Sequence, residues 1–179
     1  MQHYILRIKL AMMRISVSPH NHLLCTAICN LRKSCLDEDL WWAASTNKTT
    51  SVAQLLKAEA DKDKPLPHSA TPLLIAAAKG HKFVVAQLIN AGADIDEARQ
   101  DGATPLFAAA LNGHEKVVAQ LLEAGADKDK ANKDGATPLL IAAQNGHELV
   151  VAQLLEAGAD KDKATQTGVT PLFIAAQNG

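Results

Sequence analysis

Aromatic side chains make up only 3% of this 179-residue chain, so its core has to be assembled from Ala, Leu, Val and Ile at close range, a composition suited to stacked short helices. Neither charge is in excess: 18 basic residues against 19 acidic ones leave a formal net charge of -1. The basic footprint that announces nucleic acid or an anionic membrane is therefore missing. Long apolar runs are missing as well, since Leu23 to Ile28 is too short for a membrane span and badly placed for a secretory signal. The three cysteines, Cys25, Cys29 and Cys35, lack the paired spacing and partner histidines of a zinc site. An odd count gives no disulfide framework, so free thiols in a reducing, cytoplasmic compartment are expected. What is present, 47% apolar and 21% charged residues, describes a soluble chain able to bury a sizeable core.

Charge is unevenly spread. No acidic residue precedes Asp37, whereas Arg7, Lys9, Arg14, Arg32 and Lys33 are basic, giving +5 before that point and -6 from Asp37 onward. Residues 1–33 accordingly read as a leader: disordered or spurious upstream sequence, an organelle-targeting segment, or a folded element of its own. Ser34 and Asp37 have the spacing of a capping box, which predicts a helix starting there and running through Leu40 to Ala44. Trp41 and Trp42 are adjacent, so one is expected to pack inward and the other to lie at the surface.

Internal repetition decides the architecture. Val-Val-Ala-Gln-Leu begins at Val84, Val117 and Val150, and Thr-Pro-Leu recurs in the same register at Thr71, Thr104, Thr137 and Thr170. Residues 101–133 and 134–166 share 27 of 33 positions, differing only at 107, 108, 111, 116, 132 and 133 of the first unit.

Within one unit, Thr104 supplies an N-cap hydroxyl and Pro105 takes the first helical position, where its missing N–H costs nothing. This predicts a two-turn helix ending at Gly113, a residue free to enter the left-handed region. A second helix is expected from Glu115 to Gly125, with Val117, Val118, Leu121 and Leu122 on one face. Ala126 to Lys133 then alternates Asp and Lys with no apolar face and reads as an exposed, hairpin-like loop. Neither helix is long enough to stand alone, so the units must stack and cover one another.

Gly102, Thr104, Pro105, Leu106, Ala109, Ala110, Gly113, His114, Leu121, Leu122, Gly125, Ala126 and Asp127, with their counterparts one repeat away, resemble the ankyrin repeat. The resemblance covers residues 68–179 and, weakly, 36–67. It implies an all-α solenoid of helix-turn-helix repeats joined by β-hairpin-like loops. The expected units are a degenerate N-terminal capping repeat over 34–67, repeats over 68–100, 101–133 and 134–166, and a truncated one over 167–179. That last unit points to a fragment of a longer array. One departure matters: Leu74, Phe107, Leu140 and Phe173 stand where the family usually has His after Thr-Pro-Leu, so helix starts are expected to rely on packing instead of a polar tie. Pro65 and Pro67 predict an irregular first connecting loop.

Chemistry-bearing groups are scarce. His81, His114 and His147 recur once per unit, at a stacking distance of roughly 8–10 Å. That is too far apart to share a metal whose ligands lie near about 2 Å. Structural roles near helix starts are expected. Asn47-Lys48-Thr49 matches a glycosylation acceptor, a short pattern of little weight. Lys128, Asp129 and Lys130, with Lys161, Asp162 and Lys163, read either as an interaction tip or as a solvated face with weak ion pairs. No catalytic residue, cofactor site or metal site is assigned, and an enzyme is not expected.

The resemblance implies a monomeric, non-catalytic scaffold that binds an unidentified partner protein on a concave face, with no nucleic acid, membrane or small-molecule partner. A targeting module of a larger enzyme or channel, and a structural spacer, are the alternatives. The expected contacts are Gln100, Asp101, Ala103, Leu111 and Asn112 in one unit, then Lys133, Asp134, Ala136, Gln144 and Asn145 in the next.

Overall fold

The computed structural model of the chain describes residues 22–66 and 70–178, in two units, Met1–Cys35 and Leu36–Gly179. Most of the expected leader, and Pro67, lie outside the described residues. Nine helices are described: α1 His22–Ser45, α2 Thr49–Lys57, α3 Pro72–Ala78, α4 Lys82–Asn90, α5 Pro105–Leu111, α6 Glu115–Glu123, α7 Pro138–Gln144, α8 Glu148–Glu156 and α9 Pro171–Asn178. Within the second unit the short first helices α3, α5, α7 and α9 stack in one layer. The second helices α2, α4, α6 and α8 stack in another, and each first helix packs on the second helix that follows it where one is described.

Local chemistry explains the helix starts. Thr71, Thr104, Thr137 and Thr170 each accept, through Oγ1, the backbone N–H of the residue after Thr-Pro-Leu, at 3.1–3.2 Å. Proline fills the first helical position in each case. The second helices have no side-chain cap, because His81, His114 and His147 point elsewhere. Their Nε2 atoms meet the carbonyls of Ser45, Ala78 and Leu111 at 3.3, 3.0 and 3.0 Å, at the ends of the first helices one unit back. Each histidine thus closes the C-terminus of a neighbouring helix.

One apolar core runs through the second unit from Leu40 to Ala159. Leu73, Leu106, Leu121 and Leu154 are fully buried in it, and alanines such as Ala76, Ala109 and Ala142 let the first helices approach closely. A second, smaller cluster joins Ala103, Phe107, Ala136 and Leu140 on the loop side. Phe107 and Leu140, two of the four residues that follow Thr-Pro-Leu, lie in it.

The expected capping box is not formed. Ser34 lies inside α1, where its N–H belongs to a helix already propagating from His22. Asp37 is buried, accepts the backbone N–H of Asp61 at 2.7 Å and lies 3.6 Å from Lys64 Nζ. Trp41 donates its indole N–H to Ala70 O at 3.0 Å, while Trp42 is exposed and meets Trp41 edge to face. At the first loop Leu66 N bonds Ala70 O at 3.3 Å, a longer version of the bond that closes each later loop at 2.9 Å. The Cys35 thiol is free.

Gln87, Gln120 and Gln153 recur on the second helices with Oε1 buried and no hydrogen-bond donor for it among the described residues. An orphaned buried acceptor costs about 1–3 kcal/mol. Gln120→Met, close in volume, is therefore expected to stabilise the fold by about 1 kcal/mol in a urea titration. A lower midpoint would mean that this oxygen is satisfied in solution.

Candidate protein-binding face

The loops between units form a row of tips. In each, a backbone N–H reaches four residues on: Arg99 to Ala103 O, Asn132 to Ala136 O and Thr165 to Val169 O, all at 2.9 Å. Gly102 N also returns to Arg99 O at 2.8 Å and Gly135 N to Asn132 O at 3.0 Å. Neighbouring tips are tied together: Lys133 N donates to Asp101 O at 2.9 Å, Gln166 N to Asp134 O at 3.3 Å, and Gln166 Nε2 to Lys133 O at 2.6 Å. The result is a rigid backbone rail carrying side chains that differ from tip to tip.

Side chains brace the three tips differently. In the first, Asp101 Oδ1 accepts Arg99 Nε at 3.0 Å and Ala103 N at 3.1 Å, and a second guanidinium bond runs from Arg99 Nη2 to Asp101 Oδ2. Hydrogen bonding from Arg99 holds the Asp101 carboxyl below the usual carboxylate range, against a smaller desolvation, and the same contact raises Arg99. In the second, Asn132 Oδ1 accepts the N–H groups of Asp134 and Ala136 at 3.0 and 2.8 Å. In the third, Thr165 Oγ1 accepts Val169 N at 3.1 Å.

Eight of the ten expected contact residues are exposed: Gln100, Asp101, Leu111, Asn112, Lys133, Asp134, Gln144 and Asn145. The other two require correction. Ala103 and Ala136 retain 3% and 9% of their surface, covered in the cluster with Phe107 and Leu140. Packed against these two side chains, neither alanine offers much surface to a partner. Leu111 is 39% exposed at the end of α5, with the Asn112 amide on Ala108 O at 2.9 Å and the Asn145 amide on Leu111 O at 3.1 Å.

In the Lys/Asp loops on the second-helix side, Lys62 pairs with Asp63 at 3.0 Å, and most of the remaining contacts run to the main chain of neighbouring units. Asp63, Asp96 and Asp129 turn their carboxylates to backbone N–H groups one unit ahead, those of Asp94, Asp127 and Asp160, at 2.8, 3.1 and 2.8 Å. Lys130 and Lys163 reach back to the carbonyls of Asp96 and Asp129 at 2.9 and 2.7 Å. These clasps were not anticipated, although the recurrence of Asp at one position per unit was a visible signal.

Groups able to do chemistry do not converge here. Among the described residues, no three His, Cys, Asp or Glu side chains are placed to hold a metal, and the repeat histidines are each occupied with a separate carbonyl. A recess between the first turns of α4 and α6 is lined by Lys82, His114, Glu115 and Lys116, but His114 there already bonds Ala78 O and pairs with no nucleophile. No helix of the described residues is long and apolar enough to cross a membrane. Compared with known proteins, the chain matches the family model described as ankyrin repeats (3 copies) at residues 40–132 and 120–179. It matches none of the curated proteins.

Proposed function

The chain belongs to the ankyrin repeat family, whose repeats are generally protein–protein interaction modules, and on that premise we propose that it is a non-catalytic scaffold holding a partner protein along the tips and first helices. One observation carries this reading. Units 101–133 and 134–166 are otherwise nearly identical, yet three of their six differences, at 111, 132 and 133, fall at the open end of the first helix or on the tip, whereas Phe107 and Ala108 are buried and Lys116 lies on the second helix. The backbone bonds beneath those positions are unchanged from one unit to the next. Exposed side chains that vary over a constant hydrogen-bonded frame are the pattern of a recognition face, since they can differ without disturbing the stack.

Leu111 is the apolar anchor of that face, an exposed leucine beside the amides of Asn112 and Asn145. Leu111→Asp is expected to leave the far-UV circular dichroism spectrum and melting temperature unchanged while partner capture falls by about tenfold, as for loss of a central contact. Quantitative pull-downs with the wild type and the variant compare the same set of proteins. Identical capture by both would move the binding face elsewhere, and no specific capture by either would favour a structural spacer.

A further inference from the structure

The three tips differ in how much charge they have already used, and this deepens the reading just given, on which it rests. At the first tip the Arg99 guanidinium and the Asp101 carboxylate are consumed by each other. At the third, Thr165, Gln166 and Thr167 bring no charge at all. Only the middle tip carries Lys133 and Asp134, both exposed. Asn132 has taken over the bracing role that Asp101 performs for its own tip. Among the described residues no ion pair or side-chain hydrogen bond engages the Lys133 ammonium or the Asp134 carboxylate.

The backbone beneath these two side chains is clamped on both sides: Lys133 N is held by Asp101 O, and the carbonyls of Lys133 and Asp134 are held by Gln166. Their starting points are therefore fixed before any partner arrives, which reduces the ordering that binding demands of the backbone. We propose that the middle tip sets partner choice, and that the partner is a protein segment presenting a carboxylate to Lys133 and a neighbouring guanidinium or ammonium to Asp134. Adjacent charges of opposite sign discriminate by complementarity: a segment with the pair reversed meets like charge at both positions.

Random peptides displayed on phage and selected against the wild-type chain supply the probe. Enriched sequences are expected to share an acidic and a basic side chain in close succession. Lys133→Glu and Asp134→Lys should each weaken their binding by about tenfold, the scale of a lost charge pair at an interface. Because both side chains point to solvent and the tip bonds are made by backbone, melting temperatures should not move. The double variant Lys133→Glu, Asp134→Lys should recover binding to a peptide whose two charges are exchanged. Enriched peptides that lack the pair, or that bind the variants and the wild type equally, would overturn this assignment while leaving the binding face intact. Absence of any enrichment would instead overturn the binding reading itself.

Discussion

Gly113→Ala is expected to destabilise the stack by about 1.5–3.5 kcal/mol, more than its chemical modesty suggests, because two separate penalties meet at one atom. Gly113 has φ +70°, a left-handed conformation that costs an L-residue roughly 1–2 kcal/mol. In addition, a Cβ there would lie 2.6 Å from His147 Nδ1 and 2.7 Å from Cε1. The ring has little room to yield, since its Nε2 sits 3.0 Å from Leu111 O, the carbonyl at the end of α5. Displacing it gives up that hydrogen bond as well, about 0.5–1.5 kcal/mol.

The chain contains its own control. Gly146 has nearly the same φ, +71°, but a Cβ on it meets nothing within 4 Å. Gly146→Ala should therefore show only the backbone cost, about 1–2 kcal/mol. Urea unfolding of the two variants separates the contributions, and equal losses would show that the glycine–histidine contact has no energetic weight.

Much of the fold could be read from the sequence because its punctuation is chemical: Thr before Pro starts each first helix, Gly ends it, and the Val/Leu stripe follows at helical spacing. Apolar residues after Thr-Pro-Leu were legible as packing positions, and Phe107 and Leu140 meet in one buried cluster. That Ala103 and Ala136 are buried with them was not legible. Their burial comes from a cluster assembled across two units, and no spacing within one unit carries that information. The Lys/Asp loops were legible only in part for a related reason. Lys62 and Asp63, adjacent in sequence, do pair with one another, whereas Asp96 and Lys130 find main-chain groups 31 and 34 residues away. Ser34 was misplaced as a helix start because the spacing of Ser34 and Asp37 suits a capping box but also fits a helix interior, and the helix has already begun at His22.

The face itself was legible only as a set of positions. That Asp101 is spent on Arg99 while Asp134 is not follows from a single difference, Arg99 in one tip against Asn132 in the next. Asparagine supplies a neutral acceptor for the tip N–H groups, and the aspartate two residues on is then not needed for bracing. Both arrangements satisfy the same backbone, so sequence alone ranks the two aspartates equally.

Leu106→Ala should have the largest effect on cooperativity. Leu106 is fully buried in α5, in the middle of the stack, and a leucine truncated at such a site costs about 2–5 kcal/mol, depending on how far the cavity collapses. In a stacked array stability is the sum of unit terms and nearest-neighbour terms, so a loss of this size in a central unit weakens its own fold and its coupling to both sides. Helices α3 and α4 on one side, and α7 and α8 on the other, then no longer depend on a common partner. Unfolding in urea is expected to change from one transition to two, with hydrogen exchange rising first in α5 and α6. Leu154→Ala provides the comparison: the side chain is equally buried, but it lies in α8, the last second helix among the described residues. Its loss should shift the midpoint and speed exchange in α8 and α9 without dividing the rest of the stack. If both variants keep a single transition with matching exchange patterns, the nearest-neighbour coupling is strong enough that the array unfolds as one body, and the unit-by-unit description of its stability fails.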